Sequence, residues 1–278
     1  MTPVSLAGHF IDGSRGRIFV LARAPARPHG CVLVLPPFAE EMNKCRRMVS
    51  QACLGLAACG VASLVVDLYG TGDSGGDFGD ADWAGWREDA GRAAQWAAQQ
   101  GLRVTGLLAI RLGGALAVQS VEAGQVAPVA RTVLWQPVFD GARHLTQFLR
   151  LRTAASLMED RKETVSELRG RLKGGEVVEV AGYALAPRLA AELDAIAVPE
   201  RLPQGFGETC WMELCREEGA EWPAPATRLL ENSRSAGQLV HGRTFVGEPF
   251  WTSTEIVVNE AVIEATVGFF TGAEAEHA

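Results

Sequence analysis

The stretch Leu107-Leu108-Ala109-Ile110-Arg111-Leu112-Gly113-Gly114-Ala115 is the most informative in the chain. An apolar strand runs straight into a small-residue helix. This is the setting of a nucleophile elbow, G-x-S-x-G, where small residues flank the attacking side chain because the tight turn leaves no room for larger ones. Ala109 holds the first Gly position, Gly113 the last, and Arg111 the place of the nucleophile. A guanidinium stays protonated and cannot attack an acyl carbon. It can grip a carboxylate or phosphate, or stabilise a developing oxyanion. The partners of a nucleophilic serine are also missing from their expected positions. The acid should follow a strand at Thr209–Leu214, where Glu217 or Glu218 is available. The histidine should follow the last strand, within Gly247–Trp251, and none is there. His241 falls earlier, inside that strand, and His144 opens a helical stretch that can face a cleft. A Ser–His–acid triad therefore cannot be assembled.

The loop Gly70-Thr71-Gly72-Asp73-Ser74-Gly75-Gly76 carries three competing patterns. As G-x-G-x-x-G it lacks the helix that should begin within the motif to hold a pyrophosphate, and the next strand ends Leu108-Ala109-Ile110 without an acid. As Gly-Asp-Ser-Gly-Gly it matches a trypsin-like serine signature, but that needs an all-β chain with suitable upstream His and Asp residues. The reading retained is a loop at the carboxyl end of a strand, lining the cleft where open α/β sheets bind ligands. Strand ends should bring Glu40, Glu41, Asp67, Asp73, Arg111, Gln136 and Trp251 to one rim. Arg111 beside carboxylates is either a supporting ion pair or a grip for an anionic ligand. Glu40 and Glu41 are adjacent and point in different directions, so only one should reach Arg111. A buried carboxylate with a raised pKa can act there as general base on water.

The elements that must position these residues are read from periodicity. Residues 8–24 look like a hairpin turning at Asp12-Gly13-Ser14, and Cys31–Leu35 like a strand buried on both faces. Asn43 can cap a helix to Cys59, and Val61–Val66 is the next strand. Asp82 can cap a helix over Trp83–Gln100. Strand Val104–Ile110, helix Leu112–Glu122 and strand Val129–Trp135 follow. This alternation demands a mostly parallel, doubly wound sheet. Residues 140–200 break the rhythm with helices at His144–Ser156, Glu163–Leu172 and Ala186–Ala195, Glu176–Tyr183 being left open, and this reads as a helical lid insertion. Core segments are thus 1–139 and 201–271, the second with strand Thr209–Leu214, helix Ala224–Ser235, strand Gln238–Val246 and helix Thr254–Phe270. A frayed tail follows at 272–278.

Length and composition set the bounds. The chain has 278 residues, 47% hydrophobic and 21% charged, typical of a globular protein. A net charge of −7 argues against nucleic acid, which calls for a basic footprint. Six cysteines without close CxxC pairs or partner histidines read as reduced thiols of a cytoplasmic protein, with no metal site and no cofactor. No signal peptide is seen at the N-terminus, and no apolar run reaches the length of a membrane span.

Longer motifs carry a resemblance. They include Pro37-Phe38-Ala39-Glu40-Glu41-Met42-Asn43-Lys44, Asp67-Leu68-Tyr69-Gly70 with Gly72–Asp80, Arg111-Leu112-Gly113 and Leu134-Trp135-Gln136-Pro137-Val138. Further on come His144-Leu145-Thr146-Gln147-Phe148-Leu149-Arg150-Leu151-Arg152, Glu179–Tyr183 and Gly247–Trp251. Over roughly residues 10–270 the chain resembles the α/β-hydrolase superfamily and, within it, the family named exosortase A system-associated hydrolase 2. That family is encoded with exosortase sorting and exopolysaccharide synthesis in Gram-negative bacteria. An Arg in the elbow is one of its traits, and Pro36 stands here where a His is expected. The resemblance implies an α/β-hydrolase fold acting on an ester or thioester without a serine nucleophile. Arg111, Glu41, His144 and Glu217 are then the candidates for catalysis. Phe38, Glu40, Asp73, Leu112, Gln136 and Trp251 are the candidates for ligand contact. The alternative is a non-catalytic protein of the same fold that binds an anionic ligand or a partner from the exopolysaccharide or exosortase machinery.

Overall fold

Five consecutive apolar residues, Cys31–Leu35, form strand β3, and every one of them is buried. A strand covered on both faces must lie inside a sheet with helices on each side. The computed structural model describes residues 3–158 and 163–272 and shows this arrangement. Hairpin strands β1 (Val4–Asp12) and β2 (Arg17–Pro25) precede β3. Strands β4 (Ala62–Asp67), β5 (Val104–Ile110), β6 (Arg131–Trp135), β9 (Glu208–Cys215) and β10 (Val240–Val246) complete an eight-stranded sheet. Its order is β1-β2-β4-β3-β5-β6-β9-β10; β1–β2 and β2–β4 pair antiparallel and all other pairs are parallel. With its helices this is the α/β-hydrolase fold.

Alternate residues of the central strands feed two cores. Val34, Leu108 and Trp135 pack with α1 (Glu40–Ala58) and α8 (Glu260–Thr271) on one face. There the Trp135 indole N–H donates to Thr266 Oγ1 at 2.9 Å. Leu33, Leu107 and Leu134 pack on the other face with α2 (Trp83–Gln99), α3 (Gly113–Glu122) and α7 (Ala224–Ser235). Between β6 and β9 stand α4 (Gly141–Met158), α5 (Val165–Lys173), a small antiparallel hairpin of β7 (Val178–Val180) and β8 (Tyr183–Leu185), and α6 (Pro187–Asp194). Leu145, Phe148, Leu168 and Leu189 tie these elements into the second core.

Asp82 caps α2 as its spacing predicts, accepting from Gly85 N at 2.6 Å. The same buried carboxylate pairs with Arg15 of the first hairpin and, at 2.8 Å, with Arg188 of α6. Glu192 of α6 accepts from Trp83 N at 2.7 Å. Helix α6 is therefore anchored to the start of α2.

Two local readings are corrected, and a third, left open, is resolved. Helix α1 starts at Glu40 and not at a cap on Asn43, because Ala39, in the left-handed region at φ 51°, turns the chain into the helix earlier. The Asn43 amide donates to Tyr183 Oη instead. The last helix starts at Glu260 and not Thr254: Asn259 caps it through Val262 N at 3.2 Å, and the chain before it is irregular. The segment around Glu176–Tyr183 is largely the β7–β8 hairpin. No disulfide joins any of the six cysteines. Residues 273–278 of the expected tail lie outside the described residues. Among those described, no helix is long and apolar enough to cross a membrane.

Candidate active site: an arginine in the elbow

Strand β5 ends at Ile110, and Arg111 turns the chain at φ 54°, a left-handed conformation uncommon for a non-glycine residue. Neighbours impose the turn. Arg111 N donates to Trp135 O at 2.9 Å, and its carbonyl accepts from Gly114 N and Val138 N, each at 2.9 Å. Gly113 follows because a Cβ there would stand 2.7 Å from both Leu35 O and Pro36 O. The elbow is thus intact in its backbone and holds a guanidinium where a nucleophile would stand.

That guanidinium is held on three sides. Nε and Nη2 donate to Glu41 Oε1, each at 3.2 Å; Nη1 donates to the Gln136 carbonyl at 3.1 Å; and the group lies 4.6 Å from the Trp251 ring centroid, a cation–π distance. Only 12% of the Arg111 side chain remains exposed. Gln136, itself at φ 42°, extends the network: its Nε2 donates to Glu213 Oε1 at 2.7 Å and its Oε1 accepts from Leu214 N at 2.6 Å. Glu213 Oε2 accepts from the Trp211 indole at 2.8 Å.

Burial governs the titration of these groups. It pushes the Glu41 carboxyl up to about 7 even though Arg111 pulls the other way. It also raises Glu40 and Glu213. His144 is 4% exposed, and burial followed by the charge of Arg111 pushes its imidazole down to about 3, so the ring is neutral. Of the ten buried side-chain polar atoms without a hydrogen-bond partner among the described residues, four are here: Glu40 Oε2, Glu41 Oε2 and both ring nitrogens of His144. Orphaned polar atoms are rare in folded proteins, and functional sites are one of the places where they persist.

Phe38 joins these groups to a pocket. Its ring meets His144 edge-on at 5.5 Å, Phe148 at 5.0 Å, Phe78 at 5.5 Å and Trp86 at 5.9 Å. A narrow pocket of about 20 Å³, room for about one water molecule, lies beside it, walled by Pro36, Pro37, Trp83, Trp86, Leu112 and Leu116. Among the described residues, the backbone N–H groups of Phe38 and Leu112 donate to no acceptor. Paired N–H donors, one after the elbow residue and one from the loop after β3, are what an oxyanion hole requires.

Of the residues expected from sequence, Phe38 and Leu112 line this pocket; Glu41, Gln136 and Trp251 surround Arg111, His144 meets Phe38, and Glu40 precedes Glu41 at the start of α1. Glu41, not Glu40, takes Arg111. Glu217 is exposed in the loop after β9 and does not join the Arg111 network. The acid that does join is Glu213, which sequence reasoning missed; its signal was a lone carboxylate inside an apolar strand. Asp73 is exposed, and its N–H donates to Asp67 Oδ2 at 2.9 Å. Asp67 and Ser74 organise the Gly-rich loop: Ser74 Oγ donates to Asp67 O at 2.5 Å and accepts from Phe19 N at 2.8 Å. His241 lies exposed on β10 against Glu208, 3.1 Å away. Among the described residues no cluster of three His, Cys, Asp or Glu side chains fits a metal ion.

The chain matches no protein-family model and no curated protein. Solved structures with the same fold are esterases and hydrolases. The ferulic acid-bound Est1E of Butyrivibrio proteoclasticus aligns over 95% of this chain and 98% of its own with a TM-score of 0.64 at 17% identity. A thermostable carboxyl esterase of Bacillus coagulans aligns over 98% and 99% with a TM-score of 0.63 at 14% identity. Carboxyl esterase 2 of the fungus Tuber melanosporum aligns over 99% and 89% with a TM-score of 0.61 at 15% identity. At such identities the likeness shows the α/β-hydrolase fold.

Proposed function

We propose that this chain hydrolyses an ester or thioester by direct attack of water, with no acyl-enzyme. The observation that carries this reading is the set of unpartnered buried groups, Glu41 Oε2 and the His144 nitrogens, gathered near Arg111 and the free N–H groups of Phe38 and Leu112. In this scheme the acyl carbonyl oxygen takes charge from the two N–H groups, and the narrow pocket beside them widens to admit the acyl chain. Water attacks the acyl carbon and gives its proton to Glu41, whose carboxyl titrates near 7 and so suits a base at neutral pH. The bond to the leaving oxygen or sulfur breaks, and that atom takes the proton. Arg111 positions the base through its two bonds to Glu41 Oε1. The test is turnover of a panel of acyl esters and acyl thioesters. Glu41→Gln should abolish it, a fluorophosphonate should label nothing, and one oxygen from labelled water should enter the acid in a single turnover. No turnover by folded protein on any acyl substrate overturns the reading.

One observation favours a second reading. The Arg111 hydrogen bonds are already satisfied inside the protein by Glu41 and Gln136. In that case the chain is a non-catalytic protein of hydrolase fold, and an anionic ligand replaces Glu41 on the guanidinium. Binding of small carboxylates that disappears in Arg111→Ala, without turnover, distinguishes it.

The motif resemblance supports placing either activity with the exosortase A and exopolysaccharide machinery, and six cysteines without a disulfide support a cytoplasmic setting. Loss of exopolysaccharide in a deletion strain, restored by wild type and not by Glu41→Gln, tests the first point.

A further inference from the structure

A second pocket lies on the other side of Pro36 and Pro37, between α1 and the sheet. Its volume is about 240 Å³. Its floor is Leu21 of β2, Val65 of β4 and Val34 of β3; its roof is Met42, Cys45 and Val49 of α1. Burial raises the Cys45 thiol, so this side chain stays neutral and serves as an apolar wall. The lining is thus a strip of methyl, methylene and sulfur groups that runs along the strands.

The two ends differ in charge. Near the carboxyl ends of the strands, Arg46 is 3.7 Å from Asp67 and also donates to Asn43. At the other end stands Arg23, in register with Leu6 on one side and Ser63 on the other. Among the described residues no carboxylate pairs with Arg23. Leu6, 54% exposed, lies at the mouth. The three charged side chains of the pocket therefore leave one positive charge uncompensated, at the end away from the elbow.

We infer that this pocket takes a straight alkyl chain ending in an anion, a free fatty acid, with its carboxylate on Arg23 and its tail running toward Val34 and Met42. A guanidinium matches a carboxylate in a two-pronged geometry, and the apolar walls reward each buried methylene. A neutral alcohol of equal length gains only the second contribution. The inference does not rest on turnover at the elbow.

The experiment is calorimetric titration of the full chain with fatty acids from octanoate to hexadecanoate, beside 1-dodecanol and vesicles of anionic phospholipid. The expected result is saturable binding of monomeric acid, tighter with chain length and weaker for the alcohol. Arg23→Gln should weaken acid binding by about tenfold or more and leave the alcohol unchanged. Val49→Phe or Val65→Phe, whichever keeps the wild-type melting temperature, should block both ligands. Arg111→Ala should leave binding intact, which separates this site from the elbow. The inference is overturned if wild type binds no monomeric acid, if it binds only vesicles, if Arg23→Gln and the filled variant both bind as wild type does, or if Arg111→Ala abolishes binding.

Discussion

Arg111 donates two hydrogen bonds to a single oxygen of Glu41 and leaves the other oxygen of that carboxylate buried without a partner. A fork-on-fork pair would use both oxygens. The asymmetry leaves an acceptor of raised basicity next to a fixed positive charge, which is the arrangement on which the proposed water attack depends.

The pair should behave as a buried unit. Removing one partner leaves the other charged and poorly solvated, so Glu41→Ala and Arg111→Ala should each lower unfolding free energy by about 3 kcal/mol. The double variant Glu41→Ala/Arg111→Ala should lie closer to wild type than the sum of the two single losses. Urea unfolding of the four proteins measures this coupling, and strict additivity would refute it.

The pH dependence has two opposing parts. Glu41 is raised from 4.5 to about 7 in the folded protein, so the folded state binds more protons and its contribution is lost as pH rises through that window. His144 is lowered from 6.5 to about 3, so the unfolded state binds more protons and stability is lost as pH falls below 6.5. His144→Phe, which keeps an aromatic ring against Phe38, removes the second part. Its stability relative to wild type should grow by about 2 kcal/mol between pH 8 and pH 5. Denaturant midpoints at the two pH values check this, and a constant difference contradicts it.

Gly113 offers a prediction whose sign opposes helix propensity. Alanine is worth about 1 kcal/mol over glycine within a helix. Here its Cβ would press on two backbone carbonyls at 2.7 Å that cannot move independently of β3. Gly113→Ala should therefore destabilise by about 2 kcal/mol or more, as read from thermal or urea unfolding.

Asp82 joins the N-terminus of α2, the first hairpin and α6. Asp82→Ala should cost about 2 kcal/mol through the lost cap and unpaired arginines. It should also speed hydrogen exchange of Pro187–Asp194 selectively, because Arg188 loses this anchor. Exchange that rises uniformly across the chain would show a global effect only.

Much of the scaffold was legible because its signals are local. Strand Val104–Ile110 and helix Ala224–Ser235 have the limits that their apolar runs and flanking residues predict. The Asp82 cap needs only three residues to be seen. The start of α1 was misplaced because it depends on the unusual backbone of Ala39, which no side chain announces. In the site, Arg111 stood out by occupying a serine's place. Glu213 did not, because its partners Gln136 and Trp211 come together only when β6 and β9 pair. His144 drew notice as a histidine near a helix start, but its dry contact with Phe38 depends on how α4 settles over the sheet.

The left-handed turn at Arg111 is set by Trp135, Val138 and Gly114 through backbone bonds, so the elbow's shape does not depend on the side chain it presents. The turn works as a socket. Exchanging the side chain seated there alters what the cleft can do and unmakes the bonds to Glu41 and Gln136, but not the turn itself.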